Sequence, residues 1–360
     1  MEYWAASRLL VRGGNPYSPE ELFSLQQATG WTDSIPLVMW NPPWTFIVTL
    51  PFSGFSYTTG QFLWLLFHVT LLLFAARRFW EVYGDTTRPS RLPWLLAIAY
   101  VPTVFVLIIQ QITPVILAGL AVFLCLERRR KMFAAGASLA LVSLKPHLLY
   151  LFWIVLALWL ARARPWRLVW GMATAGLSAA ALPLLFDPHI YAQYLALHKI
   201  ADIPGPLDWL TPTLRTATRL FFGPGHLWLE WAPSIVAAAW AVNHWRRHRD
   251  RWRWSEQLPL LVAVSVASSF FSWTFDQIVF LPAIIEAASG MQRKPIPWHK
   301  FWAARAYIAI NAGHALLRVW VADEKWYFWL APALLANYLI FRWEIGKIAS
   351  DQRSVVSAGG

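Results

Sequence analysis

A few polar residues are scattered through an otherwise apolar chain, and their types suit the handling of a phosphate and a hydroxyl. Lys145 is followed by Pro146 and His147 between two apolar stretches. A cation at such a helix end either snorkels toward water or holds an anion. The other gaps on the same side are almost free of base, which favours the anion. Arg215 and Arg219 lie four apart in a segment of helical character, 213–222, and so share a face. Two guanidiniums on one face suit a phosphate or pyrophosphate. Snorkelling to lipid headgroups is the plainer alternative. Gln110 and Gln111 close a further gap, where amides meet either sugar hydroxyls or the membrane interface. Asp276 follows Trp273, Thr274 and Phe275. A carboxylate there is costly unless paired or hydrated, although helix N-termini also attract carboxylates. Arg318 is placed to add to an anion site, Arg305 to snorkel, and His68 to hydrogen bond inside a bundle.

Some chemistries are excluded. There is no zinc-ligand spacing, phosphate-binding Gly loop, Gly-x-Ser-x-Gly elbow or dinucleotide fingerprint. The sequence calls for no metal and no cofactor. Cys125 stands alone, so no intrachain disulfide or thiol pair is possible. What remains is a protein gathering cations, amides, aromatics and a few carboxylates around a lipid-phosphate substrate whose polar group is transferred or moved.

The elements that must position these residues are apolar helices. Of 360 residues 58% are hydrophobic and 14% charged, and mean hydropathy is +0.43, which is not a soluble-domain composition. The net charge of +12 is not a nucleic-acid footprint, because Lys and Arg fall in every second gap between apolar stretches: 77–91, 128–131, 162–167, 246–253, 293–300 and 342–353. Basic residues are retained on the cytoplasmic side of a membrane. Many of the 25 Trp sit at stretch ends, at headgroup level. The expectation is an all-α, polytopic membrane protein of about eleven transmembrane helices, at 61–79, 93–109, 113–127, 132–145, 147–162, 167–186, 228–245, 257–272, 277–291, 301–320 and 326–342. Residues 1–60 then form an outer-face loop with a short helix over 3–11 and an interfacial helix over 44–57. Residues 61–345 form the bundle, with a long outer loop at 187–227, and 346–360 a cytoplasmic tail. A polar start lying outside without a preceding span predicts that an N-terminal helix is missing from the chain as written.

The ordered landmarks resemble one family. Tyr3-Trp4-Ala5-Ala6-Ser7-Arg8-Leu9-Leu10 with Gly13-Gly14-Asn15-Pro16-Tyr17, then Asn41-Pro42-Pro43-Trp44, Leu50-Pro51, Gln110-Gln111, Leu144-Lys145-Pro146 and Trp273-Thr274-Phe275-Asp276-Gln277, are similar to those of glycosyltransferase family 87, of the GT-C superfamily. The resemblance implies a GT-C-like bundle and a hexosyltransferase. Its donor would be a polyprenyl-phosphate sugar, often mannose, and its acceptor a lipid or glycan. The active face would lie outside a bacterial-type plasma membrane, with membrane lipids and no nucleic acid as partners. A carboxylate would take the acceptor's proton while Lys145, His147, Arg215 and Arg219 hold the leaving phosphate.

Glu2 and Asp276 are the candidate catalytic carboxylates, and Asn41, Gln111, Lys145, His147, Arg215, Arg219 and Trp273 the candidate substrate-binding residues. Two departures stand out. The family has a Gly-Gln pair where this chain has Gln110-Gln111. It also has a catalytic Asp shortly before the Tyr matching Tyr3, a place that falls before Met1 and leaves Glu2 as the near carboxylate. The competing readings are a transporter or flippase for a lipid-linked sugar and an inactive, truncated form.

Overall fold

The computed structural model describes every residue except 88, 201–204, 207, 295, 359 and 360, and side-chain surroundings as far as 348. Arg88 of the first basic gap and Asp202 of the outer loop therefore lie outside the described residues. The described chain is helical, with no strand.

The N-terminal region is compact. The helix α1 (Glu2–Val11) buries Tyr3, Ala5, Ala6, Ser7 and Leu10 and ends before Gly13, whose φ of +78° favours glycine. The helix α2 (Pro19–Gln27) starts where the Ser18 hydroxyl accepts from the Glu21 amide and Pro19 occupies the first turn. A 3-10 turn at Pro43–Thr45 leads into α3 (Phe46–Ser53), which stops at Gly54. Ser7 donates to Thr49 at 2.8 Å and Arg8 to the Ser53 carbonyl at 2.6 Å, clamping α1 on α3. The expected helices over 3–11 and 44–57 are thus both present, the second shorter and opened by the 3-10 turn.

The bundle begins with α4 (Tyr57–Tyr83), which Ser56 caps. Next come α5 (Leu92–Ala99) and α6 (Val101–Ile109), bent by 67° at Tyr100, then α7 (Thr113–Arg128) and α8 (Met132–Val142). A break at 143–145 and a 3-10 turn at Pro146–Leu149 precede α9 (Tyr150–Ala163), as the Lys-Pro-His sequence predicts. α10 (Trp166–Ala181) returns against α8, with Gly136 and Gly171 at the contact. A Cβ on Gly136 would sit 2.0 Å from the Leu168 carbonyl oxygen, and one on Gly171 1.9 Å from that of Phe133. Only hydrogen at both positions lets the two backbones come this close.

The outer segment carries α11 (Ile190–Leu197) and α12 (Leu214–Phe222). Then follow α13 (Leu227–His248), α14 (Trp254–Ala267), a 3-10 segment Thr274–Phe280, α15 (Leu281–Gln292), α16 (Trp302–Trp320) and α17 (Leu330–Ala358). α17 continues through the segment expected as a tail.

Of the eleven expected spans, three or four are found among the described residues, and the full number is not confirmed. Among the described residues, three helices are long and apolar enough to cross a membrane: Tyr57–Tyr83, Pro146–Ala163 and Trp166–Leu185. The bent pair α5–α6 makes a fourth if it counts as one span. The reason lies in what hydropathy measures. A helix apolar on all sides is either a span or a core helix. α7 and α14 bury nearly every face against other helices, and at 16 and 14 residues they fall short of the about 20 that a crossing needs. α8 and α15, at 11 and 12 residues, are shorter still. α13, α16 and α17 are long enough but not apolar enough.

Candidate functional site

Five of the sequence-predicted residues meet in one hydrogen-bonded cluster, and two further residues complete it. Its centre is the ion pair of Lys145 and Asp276, Nζ to Oδ1 2.8 Å, with side chains 9% and 0% exposed. Lys145 reaches it because α8 ends at Val142 and the chain turns before Pro146. Asp276 reaches it from the 3-10 segment before α15, where one carboxylate oxygen accepts the Trp273 amide at 3.1 Å. The other accepts the Thr113 hydroxyl at 2.6 Å, from the first turn of α7. Three donors therefore converge on Asp276 and fill most of the acceptor sites of this buried carboxylate. The Lys145 ammonium lies 5.1 Å from the Phe275 ring centre and has two longer contacts, 3.4 Å to Gln111 Oε1 and 3.5 Å to Thr113 Oγ1.

Gln111 links this pair to the N-terminal helix. Its Oε1 accepts the Tyr3 hydroxyl at 2.9 Å, and its Nε2 donates to Glu2 Oε1 at 2.8 Å. The Tyr3 hydroxyl is also 3.3 Å from Asn41 Oδ1, while the Asn41 amide donates to the Leu144 carbonyl at 3.2 Å, one residue before the lysine. Trp44 donates to the Ser143 carbonyl at 3.2 Å, so the 41–45 turn braces the segment that carries Lys145. Burial, followed by the Glu2 carboxylate, holds the pKa of Tyr3 well above that of an ordinary tyrosine. Tyr3 is thus a fixed donor. A small cavity of about 30 Å³ abuts the cluster, lined by Glu2, Tyr3, Thr49, Gln61 and Trp64 among others.

Gln110, the neighbour of Gln111, caps α6 at φ +59° and ψ +41°, the left-handed region that glycine occupies freely. Its carbonyl accepts the Trp64 indole at 2.9 Å. The Gly expected at this position thus has a backbone reason, and the turn it makes is what aims Gln111 at Tyr3 and Glu2.

His147 and Trp273 flank the cluster. His147 is exposed and packs edge-on against Phe271 at 5.3 Å. The Trp273 ring lies 6.0 Å from Phe275 and 5.8 Å from Trp209. Together they form an aromatic rim beside a buried polar centre.

Arg215 and Arg219 do share a face of α12, but that face meets Glu230 of α13. The two Nε–Oε distances are 2.9 and 2.8 Å, and Arg215 and Glu230 are 2% and 1% exposed. Arg215 also lies over the Phe270 ring at 4.2 Å. The two arginines thus share one carboxylate, with Arg215 and Glu230 buried and Arg219 22% exposed. Sequence reasoning passed over that partner, although Glu230 is an acidic residue within an apolar helix and needed an explanation. It also passed over Thr113, whose signal was a lone hydroxyl opening an apolar helix before Pro114. Arg318, Glu324 and the Thr274 hydroxyl form a third polar group, which anchors the segment carrying Asp276 from the α16 side.

Among the described residues no three His, Cys, Asp or Glu side chains are grouped to hold a metal. The cluster can hold an anion at Lys145, grip hydroxyls through Gln111, Asn41 and Tyr3, and accept a proton at Glu2, whose second carboxylate oxygen is not engaged by Gln111. In a comparison with protein families, the model of glycosyltransferase family 87 matches residues 40–276, more than half of the chain. No protein of curated function and no solved structure matches.

Proposed function

Because the chain belongs to glycosyltransferase family 87, we propose that this membrane glycosyltransferase moves a hexose, of the mannose class, from a polyprenyl-phosphate carrier to a lipid or glycan hydroxyl on the outer face of a bacterial-type plasma membrane. The observation that carries the reading is the ammonium of Lys145, buried against Asp276 yet joined through Gln111 to Tyr3 and Glu2. A cation and a carboxylate linked by one amide are what a displacement at an anomeric carbon needs at its two ends.

In the step, the acceptor oxygen attacks the anomeric carbon and inverts it. The bond from that carbon to the phosphate oxygen breaks, and its electron pair leaves with the polyprenyl phosphate. Glu2 takes the acceptor's proton. A phosphate oxygen replaces the two long Lys145 contacts, those to Gln111 and Thr113, while the short one to Asp276 persists. His147, at the exposed rim, adds a second donor to the phosphate. Asp276 serves as the partner that aims the Lys145 side chain. Asn41 and Gln111 bind sugar hydroxyls, and Trp273 offers its face to the sugar ring. Arg215 and Arg219 serve mainly to hold α12 on α13.

The test is transfer of radiolabelled mannose from polyprenyl phosphate in membranes containing the full chain. Glu2→Gln is expected to lower turnover about 10²–10⁴-fold with donor binding retained, the usual contribution of a positioned base. Full turnover in Glu2→Gln would remove Glu2 from the mechanism. Donor binding without transfer by the unaltered chain would instead fit a transporter or an inactive form.

A further inference from the structure

A second cavity, of about 570 Å³, lies between α5, α15, α16 and α17. It follows α15 down to Gln292 and ends at Lys294 and Trp298, at the opposite end of that helix from Asp276. Its size is that of a ligand pocket, about 300–1,000 Å³.

The wall states what the occupant is. Along α15 and α17 it is hydrocarbon, with Ala287 and Leu334 among its residues. Polar side chains interrupt that surface, and two of their atoms stand out. The Tyr307 hydroxyl and the Asn337 side-chain oxygen are buried and have no hydrogen-bond partner among the described residues. An orphaned buried polar group costs about 1–3 kcal/mol, so polar atoms of the occupant belong beside them. At the end of the cavity stands Lys294, which makes no ion pair among the described residues, with the exposed indole of Trp298 beside it. Arg293 and Lys300 belong to the same basic segment. Hydrocarbon, then a hydrogen-bonding zone, then a cation and an interfacial Trp is the order in which a bilayer lipid presents acyl chain, glycerol ester and anionic phosphate.

We propose that this cavity binds one anionic glycerophospholipid, distinct from the sugar donor. Its acyl chain lies along α15, its ester group meets Tyr307 and Asn337, and its phosphate pairs with Lys294. The lipid locks α16 and α17 against α15, the helix that begins beside Asp276.

Native mass spectrometry and thermal unfolding of the full chain in mild detergent test this, with dioleoyl phosphatidylglycerol or dioleoyl phosphatidylcholine added. The expected result is a one-to-one phosphatidylglycerol adduct and a raised Tm, with phosphatidylcholine about ten-fold weaker. Lys294→Gln should lower phosphatidylglycerol affinity about ten-fold, the loss of one charge-assisted contact. Ala287→Phe should remove the adduct by filling the space. Tyr307→Phe, which keeps the shape and so guards against a folding defect in Ala287→Phe, should weaken the adduct several-fold. Equal retention of both lipids, unchanged in Lys294→Gln and Tyr307→Phe, would overturn the proposal. So would absence of any adduct together with a higher Tm for Ala287→Phe, the behaviour of an unfilled void. Stabilisation by inorganic phosphate alone would reduce the site to a simple anion contact.

Discussion

At the scale of single residues, Lys145 and Asp276 matter most, and burial changes what their substitution should do. A lysine at a helix end in water can be lost cheaply. Here the pair is nearly sealed from solvent, and removing one partner strands the other. That typically costs about 3–5 kcal/mol. Lys145→Met and Asp276→Leu should each lower the thermal midpoint of the detergent-solubilised protein as well as donor binding. The double substitution Lys145→Met with Asp276→Leu should cost clearly less than the sum, because no charge is stranded. Additive losses in a double-mutant cycle would mean that the two are not coupled. Gln110 makes a smaller, opposite prediction. A non-glycine residue in the left-handed region is strained by roughly 1–2 kcal/mol. Gln110→Gly should therefore stabilise the protein by about 0.5–1 kcal/mol after the entropy cost of glycine, with the Trp64 hydrogen bond to its carbonyl kept. A lower midpoint for this variant would show that the side chain, not the backbone, matters there.

At the scale of elements, the site depends on short interruptions rather than on long helices. The 3-10 turn at Pro146–Leu149, the left-handed cap of α6 and the 3-10 segment Thr274–Phe280 each present a polar side chain that a continuous helix would turn into its neighbours. The helices between them must be held in register for those side chains to meet. The tightest such hold is the α8–α10 contact at Gly136 and Gly171. α10 buries only Leu168, Gly171 and Ala179, so this contact is its principal anchor. Gly136→Ala places a methyl on backbone that cannot retreat like a side chain, and about 1–3 kcal/mol should be lost. Because α8 ends two residues before Leu144, a shift of that helix also moves Lys145. The variant should therefore show weaker donor binding alongside a lower unfolding midpoint. Intact binding at a lowered midpoint would separate the helix contact from the site.

At the scale of the whole molecule, the alternation of basic and base-poor gaps makes a prediction independent of the chemistry. In a Cys125→Ser background, a cysteine at position 325 should react with a membrane-impermeant reagent added outside, and one at position 129 should not. The Lys325 and Arg129 side chains are 27% and 61% exposed, so both replacements are reachable from their own side. Labelling of position 129 from outside would invert the orientation and move the proposed donor to the other leaflet. The number of crossings is a separate matter. Several apolar helices are too short to span, and they fill a protein interior around α7 and α14.

The sequence by itself determined the helical class, the breaks and the family. Local rules write these into neighbouring residues: Pro146 stops a helix, Gly13 and Gly54 end two more, and a four-residue spacing puts Arg215 and Arg219 on one face. It also marked most of the cluster, since Lys145, Gln111, Asn41 and Asp276 are polar where an apolar chain has little reason for polarity. Only the tertiary structure decided which of them meet. Lys145 and Asp276 are 131 residues apart, Tyr3 and Gln111 108, and no periodicity relates such positions. Hydropathy counted apolar stretches but could not say whether lipid or protein surrounds each one, because both reward the same residues. Likewise, charge spacing puts Arg215 and Arg219 on one face, while the fold supplies Glu230 as the carboxylate that both contact.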